Sequence, residues 1–136
     1  SSARVPSPYL YHSVSNSGGA VRESVFGQRL AGLIEQVGIV LKVHGHAFQE
    51  AGWPDLQVYS VIWTGHLELK VDKGQLSPIQ VKRIVDLRKT GTPAWCLRSV
   101  DEKIYLEDEN GTRLHEWFEF PQNPRRFLED LRDNGF

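Results

Sequence analysis

The chain has 136 residues, 40% of them hydrophobic and 24% charged, with 16 basic and 17 acidic side chains and a formal net charge of −1. Such a composition suits one soluble globular domain with a real core and excludes a disordered or fibrous chain. No apolar run approaches the roughly 20 residues of a membrane span, and a lone cysteine, Cys96, excludes an internal disulfide.

A reducing cytosol or nucleoid is therefore the expected compartment, and no signal-peptide pattern opens the chain. There is no methionine, so the sequence is expected to begin at a processed end, and residues 1–7 are given no functional weight. Residues 1–19 contain Ser, Pro and Gly with little periodicity and read as an N-terminal arm. A first helix is predicted over residues 21–37, because Phe26, Leu30, Leu33, Ile34 and Val37 recur at helical spacing and form one apolar stripe. Glu23 lies two turns before Leu30 and projects from the stripe's own face, whereas Glu35 is rotated off it into solvent. A carboxylate on a core-facing side needs a partner, since burying it unpaired is expensive. The plainer alternative is a first-turn Glu that complements the helix dipole. Gly27, one turn on, gives up about 1 kcal/mol of helix propensity and would let another element approach closely.

Residues 39–43 are β-branched and apolar enough for a buried strand. His44 and His46 follow; without a further Cys/His cluster they do not make a structural zinc site. They are expected to border a cleft and touch phosphate or water, the alternative being solvated strand-end histidines. Residues 56–62 and 67–71 read as a hairpin turned at Thr64-Gly65. Side chains alternate along a strand, so Glu68 and Lys70 share a face while Leu69 takes the other. Asp55, at the start of the first strand, would then sit beside Glu68 on the second. Two carboxylates and one ammonium would then surround a small space, and hard oxygen ligands of this kind, with room for water and phosphate, are what Mg²⁺ needs to assist phosphodiester hydrolysis. The bland alternative is an exposed hairpin with an ordinary Glu/Lys pair.

Ser77-Pro78 opens a second helix with an N-cap residue and Pro at its first position. Ile79, Val81, Ile84, Val85 and Leu87 supply its apolar surface, and Gly91 ends it. The strand at 94–97 completes a strand–helix–strand run, which implies parallel pairing. Asn110-Gly111 is a strong hairpin signal between strands at 104–108 and 112–118. Asn123-Pro124 caps a terminal helix bearing Phe127, Leu128 and Leu131, with Gly135 just past its end. The near-zero net charge also hides a division: residues 70–98 hold seven basic side chains against two acidic ones, and residues 101–136 hold five against ten. A basic surface beside a hydrolytic site would attract phosphate backbone; two solvated faces are the ordinary meaning of such runs.

Pro54-Asp55 and, beyond a gap of twelve residues, Glu68-Leu69-Lys70 resemble the two halves of the PD-(D/E)XK nuclease motif. Gly52 precedes the first half, and Gly74-Gln75-Leu76-Ser77-Pro78-Ile79-Gln80 follows the second. With these flanks the arrangement resembles the virus-type replication-repair nuclease (VRR-NUC) branch, related to small Holliday-junction resolvases, over roughly residues 23–100. The resemblance implies an α/β, restriction-endonuclease-like fold, a mixed β-sheet flanked by helices. Residues 20–100 would be the nuclease core and 101–136 a C-terminal hairpin-helix extension of the same domain, at the sheet edge or an oligomer interface.

The resemblance further implies Mg²⁺ (or Mn²⁺) held by Asp55, Glu68 and the Leu69 main-chain carbonyl. Lys70 would orient the attacking water or stabilise the pentacovalent centre, and Glu23 would bind a second metal or position Lys70. Gln80 would have a supporting site role. Lys73, Lys82, Arg83 and Lys89, with His44 and His46, would contact DNA. The implied activity is a structure-selective DNA endonuclease of a bacterial or phage-infected host, resolving four-way junctions as a homodimer. A monomeric flap, end or gap nuclease and a non-catalytic nucleic-acid-binding module are the alternatives. The dimer is expected to use the arm, the extension or both, because one small domain is not expected to bury all of Tyr9, Tyr11, Trp117, Phe118, Phe120 and Phe136.

Overall fold

A computed structural model describes residues 18–43 and 51–135. The arm up to residue 17, with Tyr9 and Tyr11, lies outside them, as do His44, His46 and Phe136. The described residues run in the order α1 (Gly18–Ile34), β1 (Ile39–Lys42), β2 (Leu56–Tyr59), β3 (Gly65–Val71), α2 (Pro78–Lys89), β4 (Ala94–Val100), β5 (Lys103–Glu107), β6 (Arg113–Trp117) and α3 (Pro124–Asn134). The strands form one sheet in sequence order, antiparallel except between β3 and β4. That one parallel pair follows from α2, which returns the chain so that both strands run the same way. The fold is α/β: a mixed sheet flanked by helices, with a C-terminal hairpin and helix.

Register sorts the side chains of the central strands. Leu56 opposes Leu67, Leu67 lies beside Trp95, Leu69 beside Leu97, Leu97 opposite Leu106 and Ile104 opposite Trp117. These residues join Phe26, Leu30, Leu33 and Ile34 of α1 and Phe127, Leu128 and Leu131 of α3 in the main core. Gly27 permits the close approach, since a Cβ there would stand 3.2 Å from the Leu69 side chain. The alternate residues make a different surface. Glu68 lies beside Cys96, which opposes Glu107, and Lys70 lies beside Arg98, which opposes Tyr105. One side of the central sheet is thus apolar, while the other buries polar groups.

Arg98 is the main brace on that polar side. Its Nε donates to both Glu107 carboxylate oxygens, each at 3.1 Å, and its Nη1 donates to the carbonyls of Asp72 at 2.8 Å and Gly74 at 2.5 Å. The guanidinium thereby ties β4, β5 and the turn after β3 into one unit.

Three expectations are corrected. β1 is an edge strand, not a buried one: Val40 is 9% exposed, but Ile39 and Leu41 are 63% and 50% exposed. Apolar composition cannot by itself distinguish an edge from a centre. The hairpin turns around Ser60, whose Oγ accepts from the Ile62 and Trp63 amides at 3.1 and 2.8 Å and donates to the Trp63 carbonyl at 2.7 Å. Thr64 closes the far end of this loop, its Oγ1 donating to the Ser60 carbonyl at 3.1 Å, whereas Gly65 already belongs to β3. The domain buries Trp117 but not every aromatic group named above: Trp117 meets His115 edge-on at 4.7 Å and packs on Phe127 at 4.9 Å. Phe120 is half-buried beneath the Arg29 guanidinium at 3.8 Å, and Phe118 stands exposed. α1 also begins at Gly18 and ends at Ile34 rather than spanning 21–37.

Removing Arg98 would leave Glu107 buried without its counter-ion. Arg98→Ala should therefore lose about 3–5 kcal/mol of stability, read from urea unfolding. A loss below about 1 kcal/mol would show that the brace is dispensable.

Candidate active site

Asp55 lies one residue before β2, and the Leu56–Leu67 register carries it level with Glu68. Its carboxylate is fixed by β3 itself, because Oδ2 accepts from the Leu69 amide at 2.9 Å. Its carbonyl accepts from the Val43 amide at 2.8 Å. Glu68 is held from the other side. Its side chain is 2% exposed, and Oε2 accepts from Gln80 Nε2 at 3.2 Å with the Lys70 ammonium 3.6 Å away. Gln80 is itself locked by a capping box. Its Oε1 accepts from the Ser77 amide at 2.9 Å, and Ser77 Oγ accepts from the Gln80 amide at 3.3 Å. The start of α2 is therefore pinned to the carboxyl group it touches.

Electrostatics explain why this cluster is costly. The Glu68 carboxyl is pushed up to about 9, chiefly by burial and then by the Asp55 charge and hydrogen bond, while Lys70 opposes the shift. Glu68 thus keeps its proton at neutral pH, and its Oε1 is buried without a protein partner. Glu23 belongs to the same field. Burial raises its carboxyl, Lys70 lowers it and Asp55 raises it. The next residue back, Arg22, pairs with Asp72 at 2.7 Å, linking α1 to the turn that follows Lys70. The structure therefore brings together Glu23, Asp55, Glu68, Lys70 and Gln80.

The basic residues are less uniform. Lys73 and Lys89 are exposed, and Lys82 is exposed while bonding Asp86 at 2.6 Å. Arg83 is turned inward, with its guanidinium 4.6 Å from the Trp53 ring centroid and Nη2 donating to the Ala51 carbonyl at 3.3 Å. Sequence reasoning missed His66 as a neighbour of the site. It shares the face of Glu68 and Lys70, is 7% exposed, and its buried Nδ1 has no protein partner. Burial lowers its pKa, so the ring is neutral. The spacing His66-Glu68-Lys70 was the available signal. Cys96 lies beside Glu68, and burial pushes its thiol up to about 12, which makes it unreactive.

Among the described residues, no three His, Cys, Asp or Glu side chains form a complete metal-binding group. The donors that do converge still fit a hard divalent cation. Mg²⁺ retains several waters and takes one or two carboxylates rather than an all-protein cage. Asp55, and Glu68 with its unpartnered Oε1, supply two such carboxyl groups.

The Glu68 proton has a measurable consequence. The folded state holds it up to about 9, whereas the unfolded chain releases it near 4.5. Its contribution is complete below 4.5 and is lost as pH rises toward 9. Metal-free wild type should lose thermal stability across that window. Glu68→Gln, which cannot ionise, should flatten the profile and raise Tm by about 5 °C near its upper end. Parallel Tm profiles for the two proteins would refute the buried proton.

No family model matches the chain, and no curated protein matches it. Among solved structures it is similar to Archaeoglobus fulgidus Hjc, a Holliday junction resolvase from an archaeal hyperthermophile. The identity is 18%, over 62% of this chain and 74% of that one, with a TM-score of 0.47. It is also similar to a chain of the DrdV–DNA complex, at 14% identity and a TM-score of 0.44 over 90% of this chain. It spans 12% of that chain's length.

Proposed function

We propose that the chain is a metal-dependent, structure-selective DNA endonuclease of restriction-endonuclease-like fold that resolves four-way junctions as a homodimer. The observation that carries this reading is the buried Glu68 placed between Asp55, Lys70 and Gln80. A domain gains no stability from burying a carboxyl group beside a second, half-buried one, so the cluster is explained by a task that needs hard oxygen ligands. The PD-(D/E)XK pattern of Pro54-Asp55 and Glu68-Leu69-Lys70 supports the same reading, as does the flanking sequence for its VRR-NUC form.

Asp55, Glu68 and the Leu69 carbonyl would hold Mg²⁺ or Mn²⁺, and Glu23 would hold a second ion or position Lys70. When bound, the cation supplies an acidified water and neutralises charge on the phosphate. The Lys70 ammonium, next to Glu68, would orient the attacking water or stabilise charge on the pentacovalent phosphorus. Gln80 would keep the Glu68 carboxylate turned toward the cation. Lys73, Lys82 and Lys89 would meet the phosphate backbone. The reading places the protein in the reducing cytoplasm or nucleoid of a bacterial or phage-infected host. A monomeric nuclease acting on flaps, ends or gaps is the second reading. It gains from the burial of Trp117, which removes one aromatic group from the material available to an interface.

Asp55→Asn and Glu68→Gln should each abolish Mg²⁺-dependent cleavage, by at least about 10²-fold, while DNA binding persists. Labelled four-way, flap and linear DNA compared in one gel provide the measurement, and near-normal cleavage by both variants sinks the assignment. Mixed wild-type and Glu68→Gln dimers should nick one junction strand without resolving it. A strict monomer in sedimentation that prefers flaps would instead select the second reading. Neutralising Lys82 and Lys89 together should reduce the slope of log affinity against log salt by roughly 2. An unchanged slope removes them from the interface.

A further inference from the structure

Arg83 was grouped by its charge with the exposed lysines of α2, but its contacts give it another task. Its guanidinium lies over the half-buried Trp53 ring, 4.6 Å from the centroid, and Nη2 donates to the Ala51 carbonyl at 3.3 Å. Between those two residues sits Gly52, with φ of +87°. A Cβ at Gly52 would stand 2.8 Å from both the Ile79 side chain and the Ile79 carbonyl oxygen. The backbone leading to Asp55 therefore rests directly on the first turn of α2. Trp53 also lies 6.1 Å from the His66 ring, centroid to centroid.

The same helix face reaches the second half of the site. Gln80, three residues before Arg83 and so on the neighbouring turn, donates to Glu68 Oε2 at 3.2 Å. One rigid element thus grips both motif halves, Asp55's segment through Ile79 and Arg83, and Glu68 through Gln80. We infer that Arg83 is a positioning residue that, stacked on Trp53, clamps the Gly52–Asp55 turn to α2 and so sets the spacing between Asp55 and Glu68. The inference deepens the nuclease reading and rests on it for its catalytic consequence. Its structural content is independent, because the clamp fixes where the Asp55 carboxylate meets the Leu69 amide.

The stacking and the carbonyl contact use different properties of the side chain. Lysine keeps a cation over the ring but lacks the planar fork that also reaches the Ala51 carbonyl. Phenylalanine at position 53 keeps an aromatic face. The variants Arg83→Ala, Arg83→Lys and Trp53→Phe therefore form a graded series, whose milder members remain informative if Arg83→Ala folds poorly.

Amide hydrogen exchange at Leu69 reports the Asp55 contact without DNA or metal. Arg83→Ala should lower Leu69 protection on the order of tenfold relative to amides of β5 in the same protein. Arg83→Lys should fall between it and wild type, and Trp53→Phe should stay near wild type. In cleavage assays with Mg²⁺, kcat should fall about 10–100-fold in Arg83→Ala, while DNA affinity and its salt slope stay at wild-type values. Unchanged Leu69 protection together with a salt slope reduced by about one would identify Arg83 as a phosphate contact and overturn the inference. Failure of the nuclease reading looks different: wild type would then show no Mg²⁺-dependent cleavage of any of the DNA substrates, whatever the exchange data show.

Discussion

A carboxyl group held in the middle of a sheet, with 2% of its side chain exposed, constrains nearly everything around it. Glu68 is there because strand side chains alternate. Leu67 and Leu69 must enter the core against α1, so Glu68 must face the other way, toward α2. A lone carboxylate in that position would be strongly destabilising, and the neighbours offset the cost in three ways. Lys70 supplies charge at 3.6 Å, Gln80 supplies a donor, and the carboxyl keeps its proton. None of these makes the cluster a stabilising device, because a buried ionic group does no better than a packed apolar one. The persistence of the arrangement in an otherwise ordinary core is what marks the site.

Much of that arrangement was legible in the sequence because it depends on short-range rules. The 55/68 alignment follows from strand alternation and an antiparallel register, and it tolerated a mistaken turn. Residues 60–64 close the hairpin through Ser60, yet Leu56 still meets Leu67. The cap of α2 was readable from Ser77-Pro78 and Gln80, whose side chain serves the cap and the site together. Helical phase put Glu23 on the core-facing side of its helix, where it lies in the field of Lys70 and Asp55.

What was illegible depends on contacts between distant segments. The exposure of Ile39 and Leu41 is set by which strand ends the sheet, a property of topology rather than composition. Trp117 is buried because α3 folds back and places Phe127 against it, with Asp130 accepting from its indole nitrogen at 2.9 Å. Arg83 differs from Lys82 only in facing Trp53 and Ala51, thirty-two positions upstream of it in the case of Ala51. No periodicity in α2 distinguishes the two.

The charge distribution shows the same principle on a larger scale. Residues 70–98 look basic and residues 101–136 acidic, as though two faces of opposite sign had been made. In the fold the acidic segment instead supplies counter-ions to the rest. Arg98 pairs with Glu107, Arg88 with Glu109 while lying 4.5 Å from the Trp95 ring, and Arg29 with Glu102 at 3.4 Å. Within residues 70–98, Lys70, Arg83, Arg88 and Arg98 are committed to internal partners. Lys73, Lys82 and Lys89 are the basic side chains of that segment that are exposed. The positive surface that residues 70–98 leave exposed is therefore small and lysine-based, so on the nuclease reading its three lysines would add only a modest salt dependence, and each contact would carry little geometric preference. On that reading, selectivity for one DNA shape over another would come from where the carboxylate cluster sits relative to those lysines. That distance is set by α2, which carries Lys82 and Lys89 on its exposed side and Gln80 and Arg83 on the side that grips the site.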